Sequence, residues 1–368
     1  MSGMSKLETT WIIHYSCLLV FVVCLCACEH EDEDFQQIII RSYPTEEYQQ
    51  ALFALVCEPG DEFRFAGSSR EGVTAEHHAL VNLLKRNGIE TYDLRSATSD
   101  GHDDATTGID WSTFPSCVYV RDPLIATPRG LVIGKMRNNG RQGETELTVH
   151  ALHNLGLSAI YRIQSDKAIL EGGDYLPMGT YCLIGCGERT NMAAVEELMQ
   201  ANVLGVDTVV VVNDRSGNSR EMHLDTYLSA IDRDLMTLTA DRYDADAEDE
   251  DFLSVDIYAR PPGSQPYVLT VSRQPLLGFL NAHGISIIRI GNIDSLLLGG
   301  NYLCIGPRHI IASENLTPAF YDAMSENNVK VETIPTDNLR TGKGGIHCAT
   351  QVISRAEETR NLISDHNI

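Results

Sequence analysis

The sequence predicts an α/β protein made of five copies of one helix–turn–strand unit, closed on itself. Short apolar runs of strand length alternate with amphipathic stretches at helical spacing from about Gln37 onward. After each helical stretch a Gly or Asn is followed at once by an apolar strand: Gly88-Ile89, Gly156-Leu157, Gly205-Val206, Gly284-Ile285 and Asn328-Val329. These units recur about 45–80 residues apart, a spacing suited to a repeated supersecondary unit. Apolar residues make up 43% of the 368, enough for a large globular core.

In chain order, Leu52–Cys57 reads as the first strand and Thr74–Asn87 as the first helix, stopped by Gly88. Ser96–Gly108 is polar and rich in Asp and Thr, so a surface loop is expected. Cys117–Val120 and Leu131–Gly134 read as strands, followed by a helix over Glu144–Leu155 and a strand over Ala159–Ile163. Strand Tyr181–Ile184, helix Met192–Asn202 and strand Thr208–Val212 repeat the pattern, and Leu235–Leu238 adds another strand. Asp241–Asp251 is a charge run with neither the glycine nor the terminal glutamate of an EF-hand loop, and a solvated loop is expected. Strand Tyr267–Thr270, helix Gln274–His283 and strands Ser286–Ile290 and Tyr302–Ile305 follow. Helix Thr317–Asn327 and strand Val329–Ile334 complete the series.

The formal net charge of −23 disfavours nucleic acid and anionic lipid as partners and suits a cationic substrate, which a negative cleft attracts. Ten cysteines are present, with no Cys-x-x-Cys pair and no zinc-type Cys/His spacing. Six of them, from Cys57 to Cys348, are scattered, mostly inside apolar runs. They read as reduced buried thiols and point to a reducing, cytoplasmic setting. Trp11–Cys28 is a largely apolar run followed by Glu29-His30-Glu31-Asp32-Glu33-Asp34, a candidate signal or membrane anchor. Residues 1–36 are therefore set apart as an extension, and 37–368 are expected to form a single catalytic domain; a homo-oligomer is compatible with the sequence.

Three strings carry chemistry. Gly344-Gly345-Ile346-His347-Cys348 holds a cysteine beside glycines that allow close backbone approach to a ligand. Met222-His223-Leu224-Asp225-Thr226 supplies a group that can move protons and, two positions on, a carboxylate. Leu170-Glu171-Gly172-Gly173-Asp174 supplies further acid. A thiol, an imidazole and several carboxylates gathered at one point suit a positively charged carbon electrophile such as a guanidinium.

With Arg121-Asp122-Pro123, Arg141-x-x-Glu144 and Arg189-Thr190-Asn191, these strings occur in the order found in arginine deiminases, members of the guanidino-group-modifying (amidinotransferase, or pentein) superfamily. The resemblance runs from about Leu52 to Arg355 and includes Cys57-Glu58-Pro59-Gly60-Asp61-Glu62 and Glu76-His77-His78. It implies a five-bladed pseudo-symmetric ββαβ propeller. It also implies hydrolysis of L-arginine to L-citrulline and ammonia through a covalent thiouronium on the cysteine, with neither cofactor nor metal. By the same resemblance Cys348 is the nucleophile, His223 the general base and acid, and Glu171 its neighbour. Asp122 and Asp225 grip the guanidinium, and Arg141 and Arg189 hold the substrate's α-carboxylate.

The chain departs from the family pattern at three places. Lys343 stands where an arginine is frequent in the substrate-binding set, and lacks its planar fork. Ser116 stands where Asn is frequent, and the short stretch between Glu76 and Asp122 lacks the helical insertion of bacterial arginine deiminases. Three other readings compete: transfer of the amidino group to an amine, hydrolysis of a related guanidine such as dimethylarginine or agmatine, and a non-catalytic arginine-binding protein.

Overall fold

The computed structural model describes residues 43–98, 109–248 and 252–357. The chain divides into Met1–Arg41 and Ser42–Ile368, and the fold below is that of the second unit. Trp11–Cys28 and most of Ser96–Gly108 lie outside the described residues. Among the described residues no helix is long and apolar enough to cross a membrane.

Among the described residues seventeen strands form five sheets. The first sheet joins β1 (Ala51–Val56) and β2 (Glu90–Asp93) to β17 (Gln351–Arg355). The second holds β3 (Leu124–Thr127), β4 (Gly130–Ile133) and β5 (Ala159–Arg162). The third begins with β6 (Tyr175–Pro177), β7 (Tyr181–Cys186) and β8 (Thr208–Asp214). The fourth is β9 (Leu228–Asp232), β10 (Leu235–Thr239) and β13 (Ser286–Ile290). The fifth is β14 (Leu303–Gly306), β15 (His309–Ser313) and β16 (Lys330–Ile334).

Each sheet repeats one connection. Its first two strands pair antiparallel, a helix follows, and the third strand pairs parallel with the second. The crossover helices are α1 (Arg70–Arg86), α3 (Gln142–Asn154), α4 (Met192–Ala201), α6 (Leu276–Ala282) and α8 (Pro318–Glu326). The first sheet takes its leading strand from the far end of the chain, because β17 pairs antiparallel with β1. The ββαβ unit thus occurs five times and the series closes on itself, as expected for the pentein fold. Short helices α2 (Leu94–Thr98) and α7 (Asn292–Leu296) sit in connections.

The repeated stop signal has one physical form. A residue in the left-handed region ends each crossover helix, at Gly88, Gly156, Asn202, Gly284 and Asn328. The next apolar residue then donates its N–H back to a carbonyl of the last turn: Ile89 to Leu84, Leu157 to Leu152, Val203 to Leu198, Ile285 to Leu280 and Val329 to Met324. In the third unit the stop is Asn202, ahead of the Gly205 named from sequence. Helix α1 opens on Ser69, whose Oγ accepts from Gly72 N at 3.0 Å. Its buried stripe, Val73, Leu80, Leu83 and Leu84, packs with Val56 of β1, Val118, Ile346 and Val352. Each such buried side chain contributes about 1.5–3 kcal/mol.

Three expectations are corrected. Cys117–Val120 is a run of turns rather than a strand: Cys117 N bonds Phe114 O, and Tyr119 N bonds Ser116 O. The run is apolar because it is buried under the Cys348 segment, and burial alone does not specify strand pairing. The described part of the acidic run is helical rather than a loop. Residues 241–248 lie in helix α5 (Ala240–Glu248), and Ser96–Thr98 lie in α2. The one basic residue of the acidic run, Arg242, anchors α5. It is buried, pairs with Asp214 at 3.0 Å and Glu221 at 2.8 Å, and lies 5.0 Å from the Tyr227 ring centroid. Between α5 and α6 the hairpin β11 (Leu253–Ala259)–β12 (Val268–Pro275) leaves the fourth unit and extends the third sheet through β8.

Candidate active site

The residues singled out from sequence occupy equivalent places in the repeat. Asp122 lies just ahead of β3, Glu171 ahead of β6, His223 and Asp225 ahead of β9, and Cys348 ahead of β17. Each therefore enters at the start of the leading strand of its sheet, which brings four separate units to one point. Glycines permit the approach. A Cβ on Gly172 would lie 2.0 Å from Arg121 O, and one on Gly173 would lie 2.9 Å from His223 Cγ and 3.0 Å from Asp225 Oδ1. Gly172 N donates to Asp122 O at 2.8 Å, and Leu224 N donates to Asp174 Oδ1 at 2.8 Å, which ties the three acidic segments together.

The side chains meet as follows. His223 Nε2 lies 2.8 Å from Glu171 Oε2, and Nδ1 lies 3.8 Å from Asp122 Oδ1. Cys348 Sγ lies 3.7 Å from Asp225 Oδ2 and hydrogen-bonds with His223. Arg141 Nη1 donates to Asp122 Oδ2 at 2.7 Å, while its Nε and Nη2 hold Glu144. Arg189 Nη1 donates to Glu171 Oε2 at 3.2 Å, and Arg137 N to Glu171 Oε1 at 2.8 Å. One oxygen of each aspartate, Asp122 Oδ1 and Asp225 Oδ1, is buried with no hydrogen-bond partner. Buried acceptors are rarely left this way, so the pair marks the place of a missing donor. The centre is closed: Cys348 and His223 are each 3% exposed, and Asp225 and Glu171 are 0%.

The electrostatics follow from burial and neighbours. Burial pushes the Cys348 thiol up to about 12, and Asp225 and Asp122 add to the rise against the opposing effect of His223. Burial alone would lower His223, but Asp122, Cys348 and Glu171 raise it well above the usual imidazole range. Burial raises Glu171, and His223, Arg141 and Arg189 outweigh that and hold it at about 2. The centre therefore carries a protonated thiol beside a charged imidazole, with one oxygen of each aspartate accepting no hydrogen bond.

Asp122, Glu171 and His223 offer ligand atoms within 4.8 Å of one another, a set that could hold a metal ion. Its donors are already committed: Asp122 to Arg141, and Glu171 to His223 and Arg189. A divalent ion would face two guanidiniums at close range. A planar monocation that uses the two unpartnered oxygens fits the donor set better.

Of the residues expected to bind substrate, Arg141 is partly exposed and lies across Asp122 and Glu144. Arg189 is partly exposed and spends one N–H on Glu171. Lys343 is exposed, with φ 70°, and lines a cleft of about 720 Å³ together with Arg220, Glu221 and Arg340. That cleft is bounded by the segments leading into His223 and Cys348, and none of the central residues lines it.

Sequence reasoning missed Asn301. Its Oδ1 accepts from Gly345 N at 3.0 Å and Cys348 N at 3.2 Å, and its Nδ2 donates to Asp225 O at 3.0 Å. It stands just ahead of β14 and is the fifth unit's contribution. The available signal was Gly299-Gly300-Asn301, a glycine pair before a strand like those at Gly172-Gly173 and Gly344-Gly345. His347 and Glu47 were also passed over: His347 Nδ1 lies 2.7 Å from Asp225 Oδ2, and Nε2 lies 3.1 Å from Glu47 Oε1.

A family model described as arginine deiminase matches residues 102–355. An arginine deiminase of Borreliella afzelii is 28% identical over 304 residues, covering 76% of this chain and 71% of that protein. One from Lactococcus lactis is 27% identical over 282 residues, covering 72% and 67%. Among solved structures, a DDAH from Pseudomonas aeruginosa complexed with citrulline superposes with a TM-score of 0.59 at 17% identity, over 82% of this chain and 98% of that one. The N-terminal domain of the cyanobacterial arginine dihydrolase ArgZ does so with a TM-score of 0.59 at 14% identity, over 83% and 98%. At these identities the two structures speak to the fold.

Proposed function

The chain belongs to the arginine deiminase family of guanidino-group hydrolases, and from that premise we propose that it converts L-arginine to L-citrulline and ammonia through a covalent adduct on Cys348. The observation that carries the reading is the pair of unpartnered buried oxygens, Asp122 Oδ1 and Asp225 Oδ1, beside the Cys348 sulfur. A guanidinium bound between them supplies the missing donors and a positive charge. That charge offsets burial and the two carboxylates, which together hold the thiol protonated, so binding favours the thiolate, the thiol proton passing to solvent.

In the proposed sequence the Cys348 thiolate attacks the guanidinium carbon and forms a C–S bond. His223, kept protonated by its acidic neighbours, gives its proton to the departing nitrogen. The C–N bond breaks, ammonia leaves, and a thiouronium remains on the sulfur. Neutral His223 then takes a proton from water as the water oxygen adds to the same carbon. The C–S bond breaks, the hydroxyl proton passes through solvent to the released ammonia, and the ureido product and the thiolate result. Arg189, with most of its donors unused among the described residues, is the stronger candidate for the α-carboxylate. Arg141 serves by holding Asp122 so that only Oδ1 faces the cation.

The test is ammonia release from L-arginine, agmatine, dimethylarginine and homoarginine without an acceptor amine, with the mass of the protein followed during turnover. The reading expects citrulline from L-arginine and a transient adduct on Cys348. It expects Cys348→Ala to lose turnover while keeping the arginine-induced rise in Tm. Turnover only when glycine or ornithine is added would overturn hydrolysis, and preference for agmatine would overturn the substrate.

A further inference from the structure

Behind Asp225 lies a buried chain of charges that the proposed chemistry does not use. Asp225 Oδ2 faces His347 Nδ1 at 2.7 Å, and His347 Nε2 faces Glu47 Oε1 at 3.1 Å. Glu47 Oε1 also accepts from Arg355 Nη2 at 2.8 Å, with Arg121 Nη2 at 3.7 Å. Arg121 Nε is fixed on His347 O and Thr350 O at 3.1 and 3.0 Å, and Arg355 Nη1 on Gln49 O and Cys304 O at 2.7 and 2.9 Å. All five residues are less than 5% exposed. Burial would raise Glu47, but Arg355, Arg121 and His347 hold it far below the usual carboxylate range. Carboxylates accept and cannot donate, so both bonds to His347 form only when both of its ring nitrogens carry hydrogen.

This arrangement has a directional consequence. Asp225 has two oxygens and two tasks. With Oδ2 bound to His347, the carboxyl cannot rotate freely, and Oδ1 stays turned to the space where no protein donor reaches it. We propose that His347 is a positioning residue: clamped from behind by Glu47, it fixes the Asp225 carboxylate so that one oxygen is reserved for the substrate cation and the other stays beside the Cys348 sulfur. The inference rests on the reading that Asp225 receives a guanidinium. A purely packing role for His347 requires neither contact nor its direction.

The two amide replacements for histidine separate these roles, because an Asn amide nitrogen takes the place of Nδ1 and a Gln amide nitrogen that of Nε2. His347→Asn keeps the bond to Asp225 and gives up Glu47. His347→Gln keeps the bond to Glu47 and releases Asp225. The experiment measures kcat and KM for L-arginine, Tm, and the arginine-induced Tm shift for both variants and for Glu47→Gln. The expected result is a loss of kcat/KM of roughly 100-fold or more in His347→Gln and of no more than roughly tenfold in His347→Asn, since misplacing a substrate-orienting group has effects of that size. Glu47→Gln falls between, and the ranking does not follow Tm. Equal losses in the Asn and Gln variants, or losses that track Tm alone, overturn the proposal. If the wild-type protein releases no ammonia from any guanidine, it is the hydrolase reading that fails. The same ranking is then read from the arginine-induced Tm shift, where equal shifts in the Asn and Gln variants overturn the positioning role.

Discussion

Asn301 Oδ1 accepts from the backbone N–H of Cys348 at 3.2 Å, and the same side chain donates to the carbonyl of Asp225 at 3.0 Å. One amide thereby sets the spacing between Cys348 and an aspartate from another unit. Asn301→Ala leaves buried groups unpaired, each costing about 1–3 kcal/mol. A fall in Tm together with a drop in kcat/KM of about 10–100-fold is expected. Asn301→Asp keeps the acceptor but loses the donor, and should lose more activity than stability. Thermal melts and steady-state ammonia release read both.

Asp225→Asn should separate thiol reactivity from catalysis. After burial, the Asp225 charge is the largest influence raising the Cys348 thiol. Its removal lowers the thiol from about 12 and enlarges the thiolate fraction near neutrality. Alkylation of Cys348 by iodoacetamide at pH 8 should therefore quicken, while arginine turnover falls by roughly a thousandfold or more because a guanidinium contact is lost. Slower alkylation in the variant would contradict the electrostatic account.

Glu171 gives a stability prediction with a definite sign. Its folded carboxyl is held at about 2 against an ordinary value of 4.5. The group therefore contributes stability above its unfolded value, and that contribution is lost as pH falls from about 4.5 through about 2. Over that gap the contribution is on the order of 3 kcal/mol. Urea midpoints for wild type and Glu171→Gln should differ most at pH 7 and converge toward pH 2–3. A constant difference across that range would remove Glu171 as the cause.

Gly173→Ala tests the close approach. The new methyl would sit 2.9 Å from His223 Cγ and 3.0 Å from Asp225 Oδ1, and must displace one of them. The expected outcome is a loss of kcat of roughly 100-fold, with a smaller proportional change in the affinity for arginine measured on the Cys348→Ala background.

Four of the five helix stops were legible because each pairs a residue that tolerates positive φ with an apolar residue, a local signal that survives burial; in the third unit Gly205-Val206 offered the same signal three residues beyond the true stop, Asn202-Val203. The short strands β3, β6, β9 and β17 were not, because each is only three to five residues long and buried throughout or nearly so, leaving no alternation to read. Helix α5 was hidden by its charge, since eight of the eleven residues in Asp241–Asp251 are acidic or basic and the apolar stripe that announces a helix is thin. At the site, Cys348, His223, Glu171, Asp122 and Asp225 were named from motif order, and the structure brings them together. Asn301, His347 and Glu47 escaped because their roles depend on partners remote in sequence: Asn301 with Cys348, His347 with Asp225, and Glu47 with Arg355.

The pairing of β17 with β1 also sets a timetable for the ribosome. Cys348 sits at the threshold of a strand whose partner among the described residues was synthesised some three hundred residues earlier. Until Gln351–Arg355 emerge, β1 presents an open edge and Cys348 has no seat beside Asp225. The nascent polypeptide therefore carries its acidic cradle before its reactive sulfur, and chemistry begins only when translation of the domain is done.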